Sequence, residues 1–426
     1  AKSPARESKI MAGPELVDVA VIGGGPAGLA AAAEAKGAGA GRVVMIERDE
    51  RVGGILPQQI HDGFGTKVFK EALTGPEYSA IYEARVNERG VETWLKTTVT
   101  ELSRDRVLTV RSDRGIQTIK AGAVVLAMGC RERTRGAIGT AGTRPAGVYT
   151  AGAVQYYMNV SNLAVGRKVV ILGSGDIGLI MARRMILEGA EVVCVAEILP
   201  QPSGIAGNIV RCLEDFDIPL HLNTTVVEIH GKERVTGVTL AEVGPKMGER
   251  KGTRRFIECD TLLLSVGLIP ETELTIDLGL SMSPATNGAI VDESFHTSAP
   301  GIFSCGNVLQ VHDVVDYATL EAEKTGIAAA KWAMTGKLPD SKINISAGAG
   351  LRYILPATIS GEDAIDFTTR PWKEEHDKSV VFKSGGEVLR RLKMPHMEPA
   401  GMIRVRVGKG RFRHVVNNEI TVEVED

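Results

Sequence analysis

Three glycines and one acid near the start of the chain have the types and spacing needed to hold a dinucleotide. Gly23, Gly25 and Gly28 form G-x-G-x-x-G directly after an apolar run, and Glu47 ends the next apolar run. In such a motif the first glycine makes a tight turn, the second lets the backbone approach a pyrophosphate, and the third lets helix and strand pack closely. The helix N-terminus attracts the phosphates, and the acid can accept hydrogen bonds from ribose hydroxyls.

The same pattern occurs again in the middle of the chain. Gly173, Gly175 and Gly178 repeat the glycine spacing, and Glu197 follows at the same distance as the acid of the first copy. A repeat of this specificity predicts two dinucleotide sites on one chain. One working site with a decayed duplicate is the alternative.

Strands and a helix must position each motif. Apolar runs at Val17–Ile22 and Val43–Ile46 flank an alanine-rich helical stretch in the first copy, and Lys168–Leu172 and Glu191–Ala196 are their counterparts in the second. Parallel strands joined by a helix form the crossover unit of an open α/β sheet. We therefore predict an α/β fold that contains two such units.

Local signals predict further elements between the motifs. Thr74-Gly-Pro-Glu77 has the form of a capping box and predicts a helix start. The runs 117–119 and 123–130 predict two separate strands, the second ending in a turn at Gly129. Thr150 is expected to cap another helix.

Composition excludes several classes of function. The 426 residues are 43% hydrophobic with a formal net charge of −2, so charge suggests neither a nucleic-acid nor a membrane partner. No uninterrupted apolar run reaches transmembrane length. The five cysteines are scattered without C-x-x-C or metal-ligand spacing, which predicts no metal site and favours a reducing, cytoplasmic setting. Residues 1–14 are treated as an N-terminal extension.

The last part of the chain changes character. Beyond residue 350 short β-like runs replace alanine-rich sequence, which predicts a small C-terminal β domain over 350–426. Between Gly386 and His414 eight Arg and Lys residues stand against two Glu, a net charge of +6. This cluster is either a docking face for an acidic partner or the charged edge of soluble hairpins.

Residues 15–345 resemble the FAD/NAD-linked pyridine nucleotide-disulfide reductase superfamily. The resemblance is carried by GGGPAG, MIERDERVGG, AMG, GSGDIG, SVGLIP and GIFSCGN. The longer runs GGILPQQIHDGFG and CGNVLQVHDVVD are similar to the NAD-linked flavoprotein subunit that accompanies glycerol-3-phosphate and amino-acid (proline, opine-type) dehydrogenase subunits. The implied fold has two nested Rossmann-like domains, glutathione-reductase-like, plus the C-terminal β domain.

The resemblance also implies which residues bind cofactors. The FAD domain would comprise 15–135 and 271–349, and the NAD domain 136–270. The FAD residues would be Gly23, Gly25, Pro26, Ala27, Gly28, Glu47, Arg48, Gly53, Gly54, Gly129, Gly306 and Asn307, with Asn307 replacing the aspartate common in such families. The NAD(H) residues would be Gly173, Gly175, Asp176, Ile177, Gly178, Glu197 and Gly267.

The implied chemistry is hydride transfer between NAD(H) and FAD without a thiol. Related disulfide reductases carry their redox cysteines in the region 53–65, where this chain has Gln58, Gln59 and His61 instead. His61 is a candidate catalytic residue on the flavin side, or a loop histidine bonded to backbone. Electrons would pass to a second acceptor, such as a partner flavoprotein subunit, oxygen or another carrier.

The choice between NADH and NADPH is predicted from Glu197 and the residues that follow it. Glu197 favours a free ribose 2′-hydroxyl and repels a 2′-phosphate, and no Arg or Lys occurs within 198–204, so NADH is predicted over NADPH. The chain is expected to assemble with a second dehydrogenase subunit or with another copy of itself. Two alternatives remain open: an electron-relay subunit whose organic substrate is oxidised on the partner, and a nucleotide-binding redox sensor.

Overall fold

The strand–turn–helix–strand unit predicted around Gly23 is present in the computed structural model, which describes residues 14–426. The predicted N-terminal extension lies almost entirely outside the described residues. The elements up to the crossover are β1 Glu15–Ile22, α1 Pro26–Gly37, β2 Val43–Ile46, β3 Asp62–Phe64, β4 Leu73–Thr74, α2 Gly75–Glu88, β5 Glu92–Trp94, β6 Thr98–Leu102, β7 Val107–Ser112, β8 Gly115–Leu126 and β9 Cys130–Glu132.

The second repeat forms its own unit. Its elements are α3 Arg135–Ile138, β10 Ala141–Gly142, β11 Val148–Thr150, α4 Ala151–Asn159, β12 Lys168–Leu172, α5 Asp176–Leu187, β13 Glu191–Ala196, α6 Ala206–Cys212, β14 Leu220–His221, β15 Thr224–Gly231, β16 Val235–Glu242, β17 Arg255–Glu258, β18 Thr261–Leu264 and β19 Leu268–Pro270. A parallel five-stranded sheet has the order β11-β18-β12-β13-β14, and a four-stranded sheet β10-β15-β16-β17 packs beside it.

The chain then returns to the first unit and ends in a β region. The remaining elements are α7 Glu273–Asp277, β20 Ile302–Ser304, α8 Val315–Thr335, β21 Ile343–Ala347, β22 Leu351–Leu355, β23 Thr358–Ile359, β24 Ile365–Pro371, β25 Glu375–Ser384, β26 Glu387–Met397, β27 Ile403–Val407 and β28 Glu419–Glu425. Strand β20 completes the first sheet, β5-β2-β1-β8-β7-β6, by pairing in parallel with β8. The predicted α/β fold is confirmed.

Small residues bring α1 and α8 close together over the first sheet. Ala30 to Ala33 of α1 are at most 1% exposed. A Cβ on Gly326 of α8 would lie 2.2 Å from the Ala31 carbonyl oxygen, so glycine is required at this crossing. This packing holds α8 against the helix that starts at the first glycine turn.

Two predictions about β8 and α4 are wrong in detail. The runs 117–119 and 123–130 are not separate strands, because β8 pairs with β7 through its first half and with β1 through its second. Gly122 lies between the two runs, and a Cβ there would lie 2.8 Å from the Asp18 carbonyl oxygen. Thr150 precedes α4 but its side chain makes no capping bond; the Glu132 carboxylate accepts from Gly152 N at 2.9 Å instead. The capping box of Thr74 and Glu77 is confirmed.

The C-terminal region is two sheets around one core and is joined tightly to the first unit. The sheets have the orders β23-β21-β28-β25-β26 and β22-β24-β27, and the region starts at Ile343, before the predicted boundary at 350. Buried Thr368 bonds buried Gln310, and Asp313 accepts from Met402 N at 2.8 Å. These buried contacts bond the C-terminal region to the segment between β20 and α8.

The basic cluster of this region is partly neutralised. Arg391 pairs with Glu425 at 2.6 Å, and Arg406 pairs with Asp366 at 3.2 Å. The alternation expected in β27 is present: Ile403, Val405 and Val407 are buried while Arg406 is exposed. In the part of the chain that the structure describes, no helix is long and apolar enough to cross a membrane.

The bond between Gln310 and Thr368 provides a test of this junction. Thr368→Val should lower the free energy of unfolding by about 1–3 kcal/mol, because the buried amide loses its hydroxyl partner. Thr118→Val is the control, since Thr118 is exposed on β8. Denaturant unfolding measures the free energy of unfolding of both variants. If the two variants lose the same amount, the bond between Gln310 and Thr368 contributes little to stability.

Candidate functional site

The first glycine turn is shaped both by packing and by an open groove. Gly23 has φ +106°, and a Cβ there would lie 2.5 Å from the Ala127 carbonyl oxygen. A Cβ on Gly28 would lie 1.8 Å from the Gly23 carbonyl oxygen. At Gly25 the nearest atom would be 3.9 Å away, so this position faces free space rather than protein. The turn therefore keeps a groove at its middle glycine.

Helix α1 opens toward that groove without a side-chain cap. It starts at Pro26, whose missing N–H costs nothing at this position, and no described side chain caps it. Its first turn contains no acidic residue. The unpaired N–H groups of such a helix start attract an anion.

Glu47 links the glycine turn to the end of β2. Its Oε2 accepts from Gly24 N at 2.6 Å and its Oε1 accepts from Asp49 N at 2.8 Å. The residue is 6% exposed. The carboxylate is thus held beside the groove by backbone donors on both sides.

The second turn repeats this arrangement bond for bond. Glu197 Oε2 accepts from Ser174 N at 2.9 Å, and Oε1 accepts from Leu199 N at 3.0 Å. Gly173 has φ +90°, and a Cβ there would lie 2.1 Å from the Ser265 carbonyl oxygen. The hydroxyl groups of Ser174 and Ser203 add two more donors to Glu197, at 2.6 and 2.9 Å. The two copies therefore hold the strand-end carboxylate by the same backbone hydrogen bonds, in addition to sharing the glycine spacing.

The start of α5 differs from the start of α1. Asp176 accepts from Ile205 N at 3.0 Å and from Asn208 Nδ2 at 2.7 Å, so its carboxylate holds the loop that leads into α6. Gly178 N donates to Ser265 Oγ at 3.1 Å. Ile177 lines the groove. Direct contact between Asp176 and a cofactor stays a prediction.

A second close backbone approach lies opposite the first turn. Gly53 and Gly54 have φ +105° and +57°, and a Cβ on Gly54 would lie 3.1 Å from Gly25 Cα. Gly53 N donates to Gly24 O at 2.8 Å. Arg48 lines the same groove, with its side chain 65% exposed.

The loop that carries His61 joins the two units. His61 lines the groove, and burial lowers the pKa of its imidazole, which is therefore largely neutral at pH 7. Gln58 Nε2 donates to Gly152 O at 3.0 Å, and Asn159 Nδ2 donates to Gln58 O at 2.9 Å. Gln58, in the region where related disulfide reductases are expected to carry redox cysteines, thus ties the loop to α4.

Gly306 and Asn307 lie where β20 leads toward α8. Gly306 has φ +72°, and a Cβ there would lie 2.6 Å from Ala27 Cβ, so this glycine lets the segment approach the first turn. Asn307 Oδ1 accepts from His312 N at 3.0 Å, and its Nδ2 contacts Cys130 Sγ at 3.6 Å. The amide is therefore already engaged by protein on both sides.

Sequence reasoning missed a buried polar network behind this segment. Glu321 accepts from Gly306 N and from Gln310 Nε2, both at 2.7 Å. His312 Nε2 lies 3.4 Å from Glu321 Oε2. The sequence carries no clear signal for this network, because Glu321 is followed closely by Glu323 and Lys324, and only the structure shows that Glu321 is the buried one.

The crossover between the units is a two-stranded ribbon of β9 and β19. Gly129 and Gly267, at its ends, have φ +72° and +99° and line the groove. Arg131 pairs with Glu271 and, at 2.8 Å, with Glu273. Arg131 therefore stabilises the crossover, and Glu132 stabilises the start of α4.

Both predicted nucleotide sites open into one cavity of about 2210 Å³. Its wall contains the residues of both glycine turns, Glu47, Glu197, His61 and residues of the C-terminal region.

A separate exposed group consists of Glu374, His376 and His396, whose possible metal-ligand atoms lie within 4.8 Å of one another. The Glu374 carboxylate lies 2.8 Å from His396 Nε2.

The family follows from the two turns, their acids and the shared cavity. The model of the pyridine nucleotide-disulphide oxidoreductase family matches residues 17–334. The chain belongs to that family. Its members bind FAD and NAD(P)H, and this chain is accordingly an oxidoreductase that uses both.

Individual relatives of this oxidoreductase are distant. A probable ferredoxin reductase of Castellaniella defragrans is 28% identical over 54% of this chain and 52% of its own length. An opine oxidase subunit of Agrobacterium tumefaciens is 27% identical over 69% of this chain and 61% of its own length. The chain spans about half to three fifths of these two relatives. The thioredoxin reductase structure of T. acidophilum shares the fold, with a TM-score of 0.63 and 22% identity over 75% of this chain and 100% of its own.

The cysteines of this oxidoreductase are poor nucleophiles. Four are buried, and Cys130, which lines the cavity, is partly exposed. Burial raises the pKa of Cys130 to about 11, and burial also raises the pKa of the other four thiols. None of the five lies in the loop of His61.

The raised pKa of Cys130 predicts slow alkylation. Relative to an ordinary thiol with a pKa near 8.5, the native protein should react with iodoacetamide roughly 100-fold more slowly at pH 8, because less thiolate is present. The rate should rise about tenfold per pH unit toward pH 11. Mass spectrometry of the native protein, with the unfolded chain as control, measures this; a rate that levels off below pH 9 would contradict it.

Proposed function

We propose that FAD binds at the first glycine turn and NAD(H) at the second, and that the chain is a thiol-independent NADH oxidoreductase. The observation that carries this proposal is the repeated carboxylate-to-turn hydrogen bond, Glu47 to Gly24 N and Glu197 to Ser174 N, at two grooves of one cavity. The residues fit the cofactors: Gly25 leaves free space, and α1 starts without an acid or a cap.

When both cofactors are bound, they supply hydride transfer between nicotinamide and flavin. The chain needs to orient them and to exclude water from their contact. Three parts of the chain enclose the cavity for this purpose: the ribbon of β9 and β19, the loop held by Gln58, and the cavity-lining residues of the C-terminal region. His61, in the loop held by Gln58, lines the cavity as a neutral polar group, because burial lowers the pKa of its imidazole.

Helix α8 has an electrostatic role in this proposal. It starts at Val315, which lines the cavity, and no described side chain caps it. In this proposal the helix N-terminus faces the flavin ring, where it would stabilise the negative charge that reduction adds. Asp316, in the first turn, is fully buried and accepts from Val68 N at 2.9 Å, so its carboxylate is taken up by the loop that follows His61.

A partner subunit is the second part of the proposal. The similarity to an opine oxidase subunit, which by its name is one part of a larger enzyme, favours a relay in which a partner receives or donates the electrons. A second copy of this chain is the other candidate. Five free thiols suit a reducing compartment, so we place the protein in the cytoplasm. Co-purification from the native source tests the partner.

The repeat offers a matched pair of variants. Gly25→Val should abolish FAD retention, because the side chain fills the groove. Gly175→Val should keep FAD but lose bleaching of the flavin by NADH, because its Cβ would lie 2.8 Å from Ser265 Oγ and the second turn would have to shift. Bound FAD is measured by absorbance and by release on heating, and thermal unfolding checks that both variants fold. Loss of FAD in folded Gly175→Val, or its retention in Gly25→Val, would contradict the assignment.

Cofactor preference depends on Glu197. NADH should exceed NADPH by roughly 10-fold or more in kcat/KM, and Glu197→Gln should narrow this ratio to about 3-fold, since the charge disappears while the shape remains. Glutamine is preferred to alanine because its amide oxygen can still accept the three hydrogen bonds made to Glu197 Oε2, and only the bond from Leu199 N is lost. Glu191→Gln, exposed on the same strand, is the control. A preference for NADPH would contradict the proposal and point to Arg211, which lines the same groove.

A further inference from the structure

The C-terminal region supplies one wall of the cavity, and that wall carries two guanidinium groups. Arg352 on β22 and Arg370 on β24 line the cavity together with Tyr353 and Trp372. They lie close to the start of α8, because Arg370 Nη2 donates to Val311 O at 3.0 Å. The wall is therefore next to the part of the cavity that we assign to the flavin.

Arg352 has a charge without a counter-charge. Among residues 14–426 its side chain makes no hydrogen bond or ion pair, and its Nε is buried without a partner. Burial and the nearby Arg370 lower the pKa of the guanidinium. The Arg352 side chain is half-buried. A charge that is partly removed from water without an ion-pair partner costs free energy of folding, so ion pairing within the chain does not explain this arrangement.

Arg370, the second guanidinium of the wall, is also without an acidic partner among the described residues. It donates to the carbonyl oxygens of Val311, Pro399 and Ala400, which are neutral. Asp313, the acid on the same wall, accepts from Met402 N at 2.8 Å and forms no ion pair with either guanidinium in the described chain. The wall therefore carries two guanidinium groups and one carboxylate, and among the described residues neither guanidinium forms an ion pair.

The fourth member of the wall is an aromatic platform. The Trp372 side chain lies beneath the Arg352 guanidinium, 5.5 Å from Cζ to the ring centroid. Trp372 is 61% exposed and lines the cavity, so part of the indole is free to contact a second group. A planar fork of N–H donors beside an apolar surface suits an organic anion better than an inorganic one.

We propose that Arg352, Arg370 and Trp372 form a binding site for a small organic carboxylate in the wall of the shared cavity. The guanidinium of Arg352 would hold the carboxylate, Arg370 would add charge, and the indole would contact the apolar body. Only the position of this site beside the flavin rests on the proposed function. The site gives the C-terminal region a task inside the cavity, distinct from docking.

Calorimetric titration of the FAD-loaded full chain tests the site. Sodium benzoate and sodium acetate are the probes, benzamide is the neutral analogue of benzoate, and sodium chloride at equal ionic strength controls for general anion effects. Benzoate should bind saturably and at least 10-fold more tightly than benzamide. Arg352→Gln should weaken benzoate binding at least 10-fold, Arg352→Lys should weaken it less, and Arg390→Gln, exposed on β26, should leave it unchanged.

Two further readouts separate the possible failures. Arg352→Gln should keep or raise the midpoint of thermal unfolding, because an unpaired charge is removed; a large drop would assign the residue a structural role and overturn the proposal. FAD content and bleaching by NADH are measured on the same samples. If FAD content and bleaching are normal but neither carboxylate binds saturably, or Arg352→Gln binds benzoate equally well, the carboxylate site alone is overturned. A chain that takes up no FAD overturns the proposed function instead.

Discussion

The hydrogen bond from the glycine turn to the strand-end carboxylate is the constraint on which both nucleotide units depend. Gly24 N donates to Glu47, and Ser174 N donates to Glu197. Each carboxylate is nearly buried, at 6% and 3% exposure, so each needs these donors, and each turn amide needs an acceptor. Turn and strand are therefore fixed relative to each other before a nucleotide arrives, which lowers the ordering cost of binding.

The cavity between the two turns is closed by contacts from three parts of the chain. Gln58 bonds α4, Glu132 caps that helix, and Arg370 holds the segment before α8 through Val311 O. Each of these side chains belongs to one part and bonds another. The cavity is thus a property of the whole chain, and neither nucleotide unit would form it alone.

The sequence was sufficient for features that depend on local geometry. Gly23 and Gly28 follow from close packing, and the capping box of Thr74 follows from the bonding of a helix start. Features that depend on distant partners were not predictable. Glu132 caps a helix 20 residues away, and Gln310 finds Thr368 at a separation of 58 residues. The continuity of β8 from 115 to 126 depends on pairing with β7 and β1, and the sequence of the strand does not show those partners.

The C-terminal region is the part of this oxidoreductase that the family match, which ends at residue 334, leaves unexplained. The whole of the T. acidophilum thioredoxin reductase is covered by 75% of this chain, so the fold does not require the additional sheets. On the surface of those sheets Arg391 and Arg406 have acidic partners, whereas on the cavity side Arg352 has none among the described residues. An unpaired charge costs least in water, so exposed basic residues such as Arg390 need no partner, whereas the half-buried guanidinium of Arg352 does. The charge inside the cavity is therefore better explained by a ligand than by the fold.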